Sequence, residues 1–193
     1  MLRSEMLKRL AGQACNIPGA RIERGALFPG EFAALQPAVN ALSRLPIHII
    51  NDARTLEQIR ARVLAEKARG DVGLVVLDYL QLIKMAQRYD DGNRADEDRV
   101  QGAKNLAMEA MVPVLAITAM TKAAQREAAD GKVDNTGAKG AGTEYAADLI
   151  AFLVRTDPAD PGPCPEVILA MTKRRGGPVC NTPLKFSMPK GRF

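Results

Sequence analysis

The sequence predicts an α/β fold, in which helices and buried strands alternate before a run of strands closes the chain. Two continuous apolar runs, Val72–Leu77 and Val112–Ile117, lie among segments with a helical spacing of apolar residues. Continuous rather than alternating hydrophobicity is typical of strands covered on both faces, as in parallel sheets. From Leu149 onward, apolar runs follow one another without a helical segment between them, which predicts a closing set of strands.

The helices ahead of the first buried strand are predicted from apolar residues that recur every three or four positions. This spacing covers three segments: 2–14, 30–45 and 57–69. Pro46 is expected to stop the second helix, which would turn Phe32, Leu35, Val39 and Leu42 inward. Thr55 is expected to cap the N-terminus of the third helix, because its hydroxyl can accept a hydrogen bond from a free backbone N–H group.

The predicted sheet consists of short apolar segments separated by turn-forming or charged residues. Strands are expected near 47–50, 72–77, 112–117, 149–154, 167–171 and 183–188. The charged stretch 86–99 is expected to lead into a helix that ends near Met111. The segment 122–143 is rich in glycine and charged residues, which favours a mobile loop.

Length and composition limit the class of protein. A chain of 193 residues fits a single domain, 1–193, because one core can grow to roughly 200–250 residues. No apolar run approaches the roughly 18–20 residues of a membrane span, so no membrane partner is expected. The three cysteines lack metal-binding spacing, which favours free thiols in a reducing cytosol. The net charge of +5 fits either a polyanionic partner or a solvated basic surface.

One acidic residue, Asp78, directly follows the first buried run. The carboxyl ends of parallel strands border the crevice in which α/β sheets bind ligands. In nucleotide-hydrolysing folds, an acid at this place holds the magnesium ion of the phosphates. The alternative is an aspartate that only begins a turn after a core strand.

Around Asp78 the sequence resembles the C-terminal motor domain of DnaB-type replicative DNA helicases. Val76-Leu77-Asp78-Tyr79-Leu80-Gln81-Leu82 resembles the Walker B segment of that family, a hydrophobic run followed by Asp-Tyr-Leu-Gln-Leu. Other resembling segments follow the family's order over nearly the whole chain: 21–27, 93–94, 112–114, 144–150 (Glu-Tyr-Ala-Ala-Asp-Leu-Ile) and 173–178 (Lys-Arg-Arg-Gly-Gly-Pro).

The resemblance implies a RecA-like P-loop NTPase sheet with flanking helices. It implies ATP-driven translocation on single-stranded DNA and duplex unwinding, with ATP and Mg²⁺ as cofactors. The implied partners are single-stranded DNA and either a homo-oligomeric ring or a full-length helicase subunit. Asp78 would serve magnesium and nucleotide. Lys173 and Arg175 would reach the γ-phosphate of a neighbouring subunit, as an arginine finger with a lysine companion; a basic surface turn is the alternative.

The DNA-binding loop of the family corresponds to Gly137–Gly142, where Lys139, Gly140 and Gly142 are the candidate contacts. Lys139 supplies positive charge, and glycines let backbone N–H groups approach phosphate. A flexible surface loop without DNA contacts is the alternative.

The departures from the family are as informative as the matches. A phosphate-binding P-loop, G-x-x-x-x-G-K-[ST], is absent, and Thr118-Ala119 stands where the family has Ser-Gln. We therefore expect a motor domain truncated ahead of Met1, without the P-loop strand and helix or the catalytic glutamate, and inactive as an ATPase alone. A non-catalytic DNA-binding or ring-partner protein is the second hypothesis. Without the P-loop strand, the strands 112–117 and 149–154 would be left with open edges or forced to pair directly. Because unpaired buried backbone groups are costly, we expect either direct pairing of the two strands or a loss of stability.

Overall fold

The computed structural model describes residues 3–85, 92–121, 124, 138, 142–157, 159–160 and 162–193. α-Helices span α1 (Arg3–Cys15), α2 (Gly19–Arg24), α3 (Pro29–Ser43), α4 (Leu56–Arg69), α5 (Gly92–Ala110) and α6 (Thr143–Ala146). Strands span β1 (Val75–Leu77), β2 (Val114–Ala116), β3 (Leu149–Arg155), β4 (Glu166–Arg174) and β5 (Asn181–Lys185). This mixture of helices and strands confirms the predicted α/β class.

The chain divides into two compact units. The terminal unit consists of Met1–Asp52, Arg155–Val167 and Pro183–Phe193, and the central unit consists of Ala53–Val154 and Ile168–Thr182. Strand β1 pairs with β2, while β3, β4 and β5 form a second sheet in that order. No helix among the described residues is long and apolar enough to cross a bilayer.

In the terminal unit, the first helix ends where the sequence predicts. Helix α1 stops at Cys15, Asn16 takes a left-handed φ of 59°, and the Ile17 N–H donates to the Gly12 carbonyl over 2.8 Å. A backbone bond that spans five residues and follows a left-handed residue is a common way to end a helix. The C-terminal segment adds a bond from the Gln13 side-chain amide to the Gly191 carbonyl at 2.5 Å.

The strand predicted at 47–50 is wrong. Helix α3 ends at Ser43, ahead of Pro46, and residues 46–50 take no regular secondary structure. The Ile47 N–H donates to the nearby Leu45 carbonyl, and Ile47 and Ile50 are about half exposed. A short apolar run becomes a strand only when a neighbour completes its hydrogen-bond ladder, and this local bond uses the Ile47 donor instead.

Two of the four residues predicted to face inward on helix α3 are exposed instead. Phe32 is 71% exposed and Val39 is 46% exposed, so neither faces inward. Leu35 and Leu42 are only partly exposed and lie on the more covered side of this helix. Apolar spacing therefore predicted the helix correctly, and it was right about the covered side for Leu35 and Leu42 but wrong for Phe32 and Val39.

The central unit is organised around helices α4 and α5. Thr55 caps α4 as predicted: its hydroxyl accepts from the Gln58 N–H, and the Gln58 side chain accepts from the Thr55 N–H at 3.2 Å. One buried cluster consists of Val63, Leu106, Ala110 and Val112. A second joins Leu77, Leu80 and Ile83 to residues of α5, namely Val100 and Ala103.

Strands β1 and β2 run parallel with Val75 opposite Val114 and Leu77 opposite Ala116. Among the described residues β2 pairs only with β1, and β3 only with β4. The predicted direct pairing of these two strands is therefore wrong for the described residues, where both strands keep an open edge.

One face of the β1–β2 pair is apolar and uncovered. Leu74, Val76, Leu115 and Ile117 are each between 44% and 54% exposed. On the opposite face, Val75 and Val114 pack against the buried clusters of the central unit. Parallel sheets are ordinarily covered on both faces, so this exposed face is unusual for the fold class.

Candidate functional site

The Asp78 carboxylate lies at the carboxyl end of β1 and is exposed. Beyond the strand, the Ile117 N–H donates to the Leu77 carbonyl and the Leu80 N–H to the Ile117 carbonyl. These bonds keep the two chain segments side by side up to Asp78 and Thr118. The acid thus lies at the sheet edge where ligands of α/β folds bind, as the sequence predicts.

Gln81 bridges this edge to the neighbouring segment. Its side-chain amide donates to the Thr118 hydroxyl over 2.8 Å, and its side-chain oxygen accepts from the Ala119 N–H over 3.4 Å. Sequence reasoning noted that Ala119 lacks a hydrogen-bonding side chain, but it missed that Gln81 contacts both residues. The residues just after β2 are therefore hydrogen-bonded, through Gln81, to the segment that follows Asp78.

The donor set around Asp78 fits only part of a magnesium site. Magnesium in nucleotide sites typically takes one or two carboxylates and completes its coordination with phosphates and water. Asp78 can supply one carboxylate. Within the described ranges, no group of three or more acidic, histidine or cysteine side chains is arranged to hold a metal by itself. A bound ion would therefore depend on the phosphates of a nucleotide.

A second site, which we name the cation cluster, consists of Lys104, Lys173 and Arg175 around Asp148. The Asp148 Oδ2 lies 2.7 Å from the Lys104 Nζ, and its Oδ1 lies 2.8 Å from an Arg175 guanidinium nitrogen. The Lys173 ammonium donates to the backbone carbonyl of Glu144. The hydrogen bond from Lys104 is the main cause that lowers the pKa of Asp148, and the charges of Arg175 and Lys173 add to it.

The backbone fixes where this cluster sits. Strand β4 ends at Arg174, and the Arg175 N–H donates to the Asp148 carbonyl over 2.8 Å. Asp148 itself lies between helix α6 and strand β3. Lys173 and Arg175 thus both lie near Asp148 at the end of β4, and their joint action on a phosphate stays a prediction. Asp78 belongs to a different sheet from these two residues.

The candidate DNA-binding loop is described only at its end. Lys139 and Gly140 lie outside the described residues. Gly142 has a left-handed φ of 90° and begins α6, whose Tyr145 and Ala146 N–H groups donate to the Gly142 carbonyl at 2.9 Å. This glycine therefore has a backbone role at the start of α6, and a contact with DNA stays a prediction.

The family model of the DnaB-like helicase C-terminal domain matches residues 1–193. The chain belongs to this family. The replicative DNA helicase DnaB of Geobacillus stearothermophilus is 27% identical over 200 residues, which cover 100% of this chain and 43% of that protein. The replicative DNA helicase DnaC of Bacillus subtilis is 26% identical and matches 98% of this chain and 42% of its own length. The chain thus spans less than half the length of these DnaB-type relatives.

Solved structures of helicase ATPase domains share the fold. One such ATPase domain superposes with a TM-score of 0.87 at 26% identity, covering 100% of this chain and 70% of that one. A DnaB-like replicative helicase studied with primase gives a TM-score of 0.85 at 25% identity, covering 99% of this chain and 47% of that one. The fold is therefore that of RecA-like helicase ATPase domains, and the predicted family and fold class are confirmed.

Sequence reasoning missed Lys104 as a member of the cation cluster. Lys104 is separated from Asp148 by 44 positions, and it lies on a helix rather than in a recognisable motif. Its only local signal is a polar position on an amphipathic helix, which is the same for any solvated lysine.

Proposed function

We propose that this chain is part of a replicative helicase motor that uses ATP to move along single-stranded DNA and unwind duplexes within a ring. The membership of the whole chain in the DnaB-like family carries the proposal. Asp78 would hold the magnesium ion that accompanies a bound nucleotide. Lys173 and Arg175 would stabilise charge on the γ-phosphate of a nucleotide held by the neighbouring subunit.

We also propose that the chain alone does not hydrolyse ATP. Phosphoryl transfer needs a backbone cradle with a lysine for the phosphates, an acid for magnesium, a group that orients water and a cation supplied by a neighbour. This sequence supplies the acid and the cation but contains no P-loop. The first test is calorimetry of ATP binding with and without magnesium, together with ATP turnover by the pure chain. Robust magnesium-dependent turnover would overturn the proposal.

The proposed arginine finger can be tested in a partner that retains its own P-loop. The Arg175 side chain is 65% exposed and is planar, permanently charged and suited to two-point contact with phosphate. We suggest the Geobacillus stearothermophilus relative with alanine at the position that aligns with Arg175. An arginine finger contributes roughly 10³–10⁵-fold in rate, so adding this chain should restore turnover in mixed rings.

The matched controls for that experiment are single substitutions in this chain. Arg175→Ala should abolish the restored turnover. Arg174→Ala removes the same charge from the adjacent, exposed residue and should leave the restored turnover in place. Equal restoration of turnover by the unsubstituted chain and by both variants would contradict the role of Arg175 as an arginine finger.

A second candidate function, a non-catalytic DNA-binding or ring-partner role, is favoured by the missing P-loop and the net charge of +5. Binding to single-stranded DNA should then be independent of sequence and weaken steeply with salt, because phosphate contacts release counterions. Lys139→Ala should reduce the log–log salt slope by about 1, whereas Lys185→Ala on β5 should not. Tight DNA binding that does not weaken with salt would contradict this second candidate function.

A further inference from the structure

The carboxylate of Asp148 is shared between cations that come from two different elements. Lys104 approaches one oxygen from helix α5 and Arg175 approaches the other from the end of β4, at 2.7 Å and 2.8 Å. The Lys104 side chain is 26% exposed, whereas those of Asp148 and Arg175 are 56% and 65% exposed. The Lys104 side of this arrangement is therefore less accessible to water than the Arg175 side.

The ion pair between Arg175 and Asp148 is weak enough for Arg175 to exchange Asp148 for another anion. An exposed ion pair is weak, because water competes for both charges and two long side chains must be held in one geometry. The position of the Arg175 backbone does not depend on this pair, since its N–H is bonded to the Asp148 carbonyl over 2.8 Å. The guanidinium can thus leave the carboxylate while its own backbone stays in place.

We propose that Asp148 and Lys104 hold the Arg175 guanidinium in a releasable ion pair, which Arg175 leaves in order to bind an incoming phosphate. We name this arrangement the clamp. When the guanidinium moves to the phosphate, Asp148 stays paired with Lys104. Without Lys104, release of Arg175 would leave the Asp148 carboxylate without an ion-pair partner among the described residues, and it would repel the arriving anion. Lys104 is therefore a positioning residue that acts through Asp148. The inference rests on the proposed role of Arg175 toward phosphate.

The test is a double-mutant cycle with inorganic pyrophosphate as the probe, measured by calorimetry. Asp148→Asn frees Arg175, so we expect pyrophosphate to bind about two- to fivefold more tightly, the range for one exposed ion pair. Lys104→Gln leaves Arg175 as the only ion-pair partner of Asp148 among the described residues, and it should weaken binding to a similar extent. Arg175→Gln should remove most of the binding.

The double variant separates the clamp from simple charge attraction. If Lys104 acts through Asp148, then Lys104→Gln should have little effect in the Asp148→Asn background. If Lys104 attracts pyrophosphate directly, its substitution weakens binding equally in both backgrounds, and the clamp is refuted. Absence of pyrophosphate binding by the natural chain, or binding that survives Arg175→Gln, also refutes it.

Nuclear magnetic resonance of the unsubstituted protein gives a measurement that requires no variant. On addition of pyrophosphate, the Arg175 Nε resonance should shift while the Lys104 ammonium resonance stays unchanged. A shift of the Lys104 resonance equal to that of Arg175 would contradict the clamp. The pyrophosphate experiments need neither a P-loop nor a ring, so they stand apart from the turnover test. If Arg175 does not restore turnover in mixed rings but the pyrophosphate cycle gives the expected result, only the proposed function is refuted. If turnover is restored but the pyrophosphate cycle fails, only the clamp is refuted.

Discussion

Leu106 should be among the most sensitive positions for stability. Its side chain is 3% exposed and lies among Val63, Ala110 and Val112 in the core of the central unit. Leu106→Ala removes three carbon groups, and at about 0.8 kcal/mol for each buried group the transfer contribution is about 2.4 kcal/mol. The cavity that remains adds to this loss, so the free energy of unfolding should fall by about 3–4 kcal/mol.

Urea unfolding followed by far-ultraviolet circular dichroism measures this loss. The chain has no tryptophan and three tyrosines, so helix content is a stronger signal than fluorescence. Met108→Ala is the matched control, because Met108 lies on the same helix and is 58% exposed. The control should change stability by no more than about 0.5 kcal/mol. Equal losses for the two variants would refute the packing described for α5.

Three further predictions address the cap of α4, the contact between α4 and α5, and the cation cluster. Thr55→Ala removes the hydroxyl that accepts from the backbone of α4, and chemical denaturation should show a loss of about 1 kcal/mol, with Thr55→Ser retaining the stability. Gly102→Val should lower the melting temperature, because a Cβ at Gly102 overlaps the Leu56 side chain and overpacking costs about 1–3 kcal/mol; a higher melting temperature would contradict this contact. The pKa of Asp148 is below its ordinary value of 3.8, so its contribution to stability is present above that pH and is lost as pH falls through the lowered pKa. In a carbon NMR titration, Lys104→Gln should raise this pKa, and an unchanged titration would show that Lys104 is not its main cause.

The sequence was sufficient for the features that depend on local pattern. Helices α1, α3 and α4 lie within a residue or two of the predicted segments, and the Thr55 cap follows from a side chain near its own backbone. The buried runs that contain β1 and β2 are recognisable because their hydrophobicity is continuous. Asp78 could be placed at a strand end for the same reason, since it directly follows one of these runs.

The remaining features depend on partners that are distant in the sequence. The segment 47–50 has the apolar residues of a strand, but strand formation requires a neighbouring ladder, which no local pattern can specify. The exposure of Phe32 likewise depends on which side of α3 is covered. Lys104 and Asp148 meet only because α5 and the segment before β3 converge, so their pairing has no sequence signature.

The apolar face and open edge of the β1–β2 pair also affect how the isolated protein would behave in solution. Unpaired strand edges and adjoining apolar surface are common starting points for aggregation. Concentrated samples should therefore form polydisperse assemblies that grow through contacts at β2. A ring closes at a fixed number of subunits, whereas such assemblies have no fixed size. Light scattering over a range of concentrations would thus separate true ring assembly from adhesion of exposed strands.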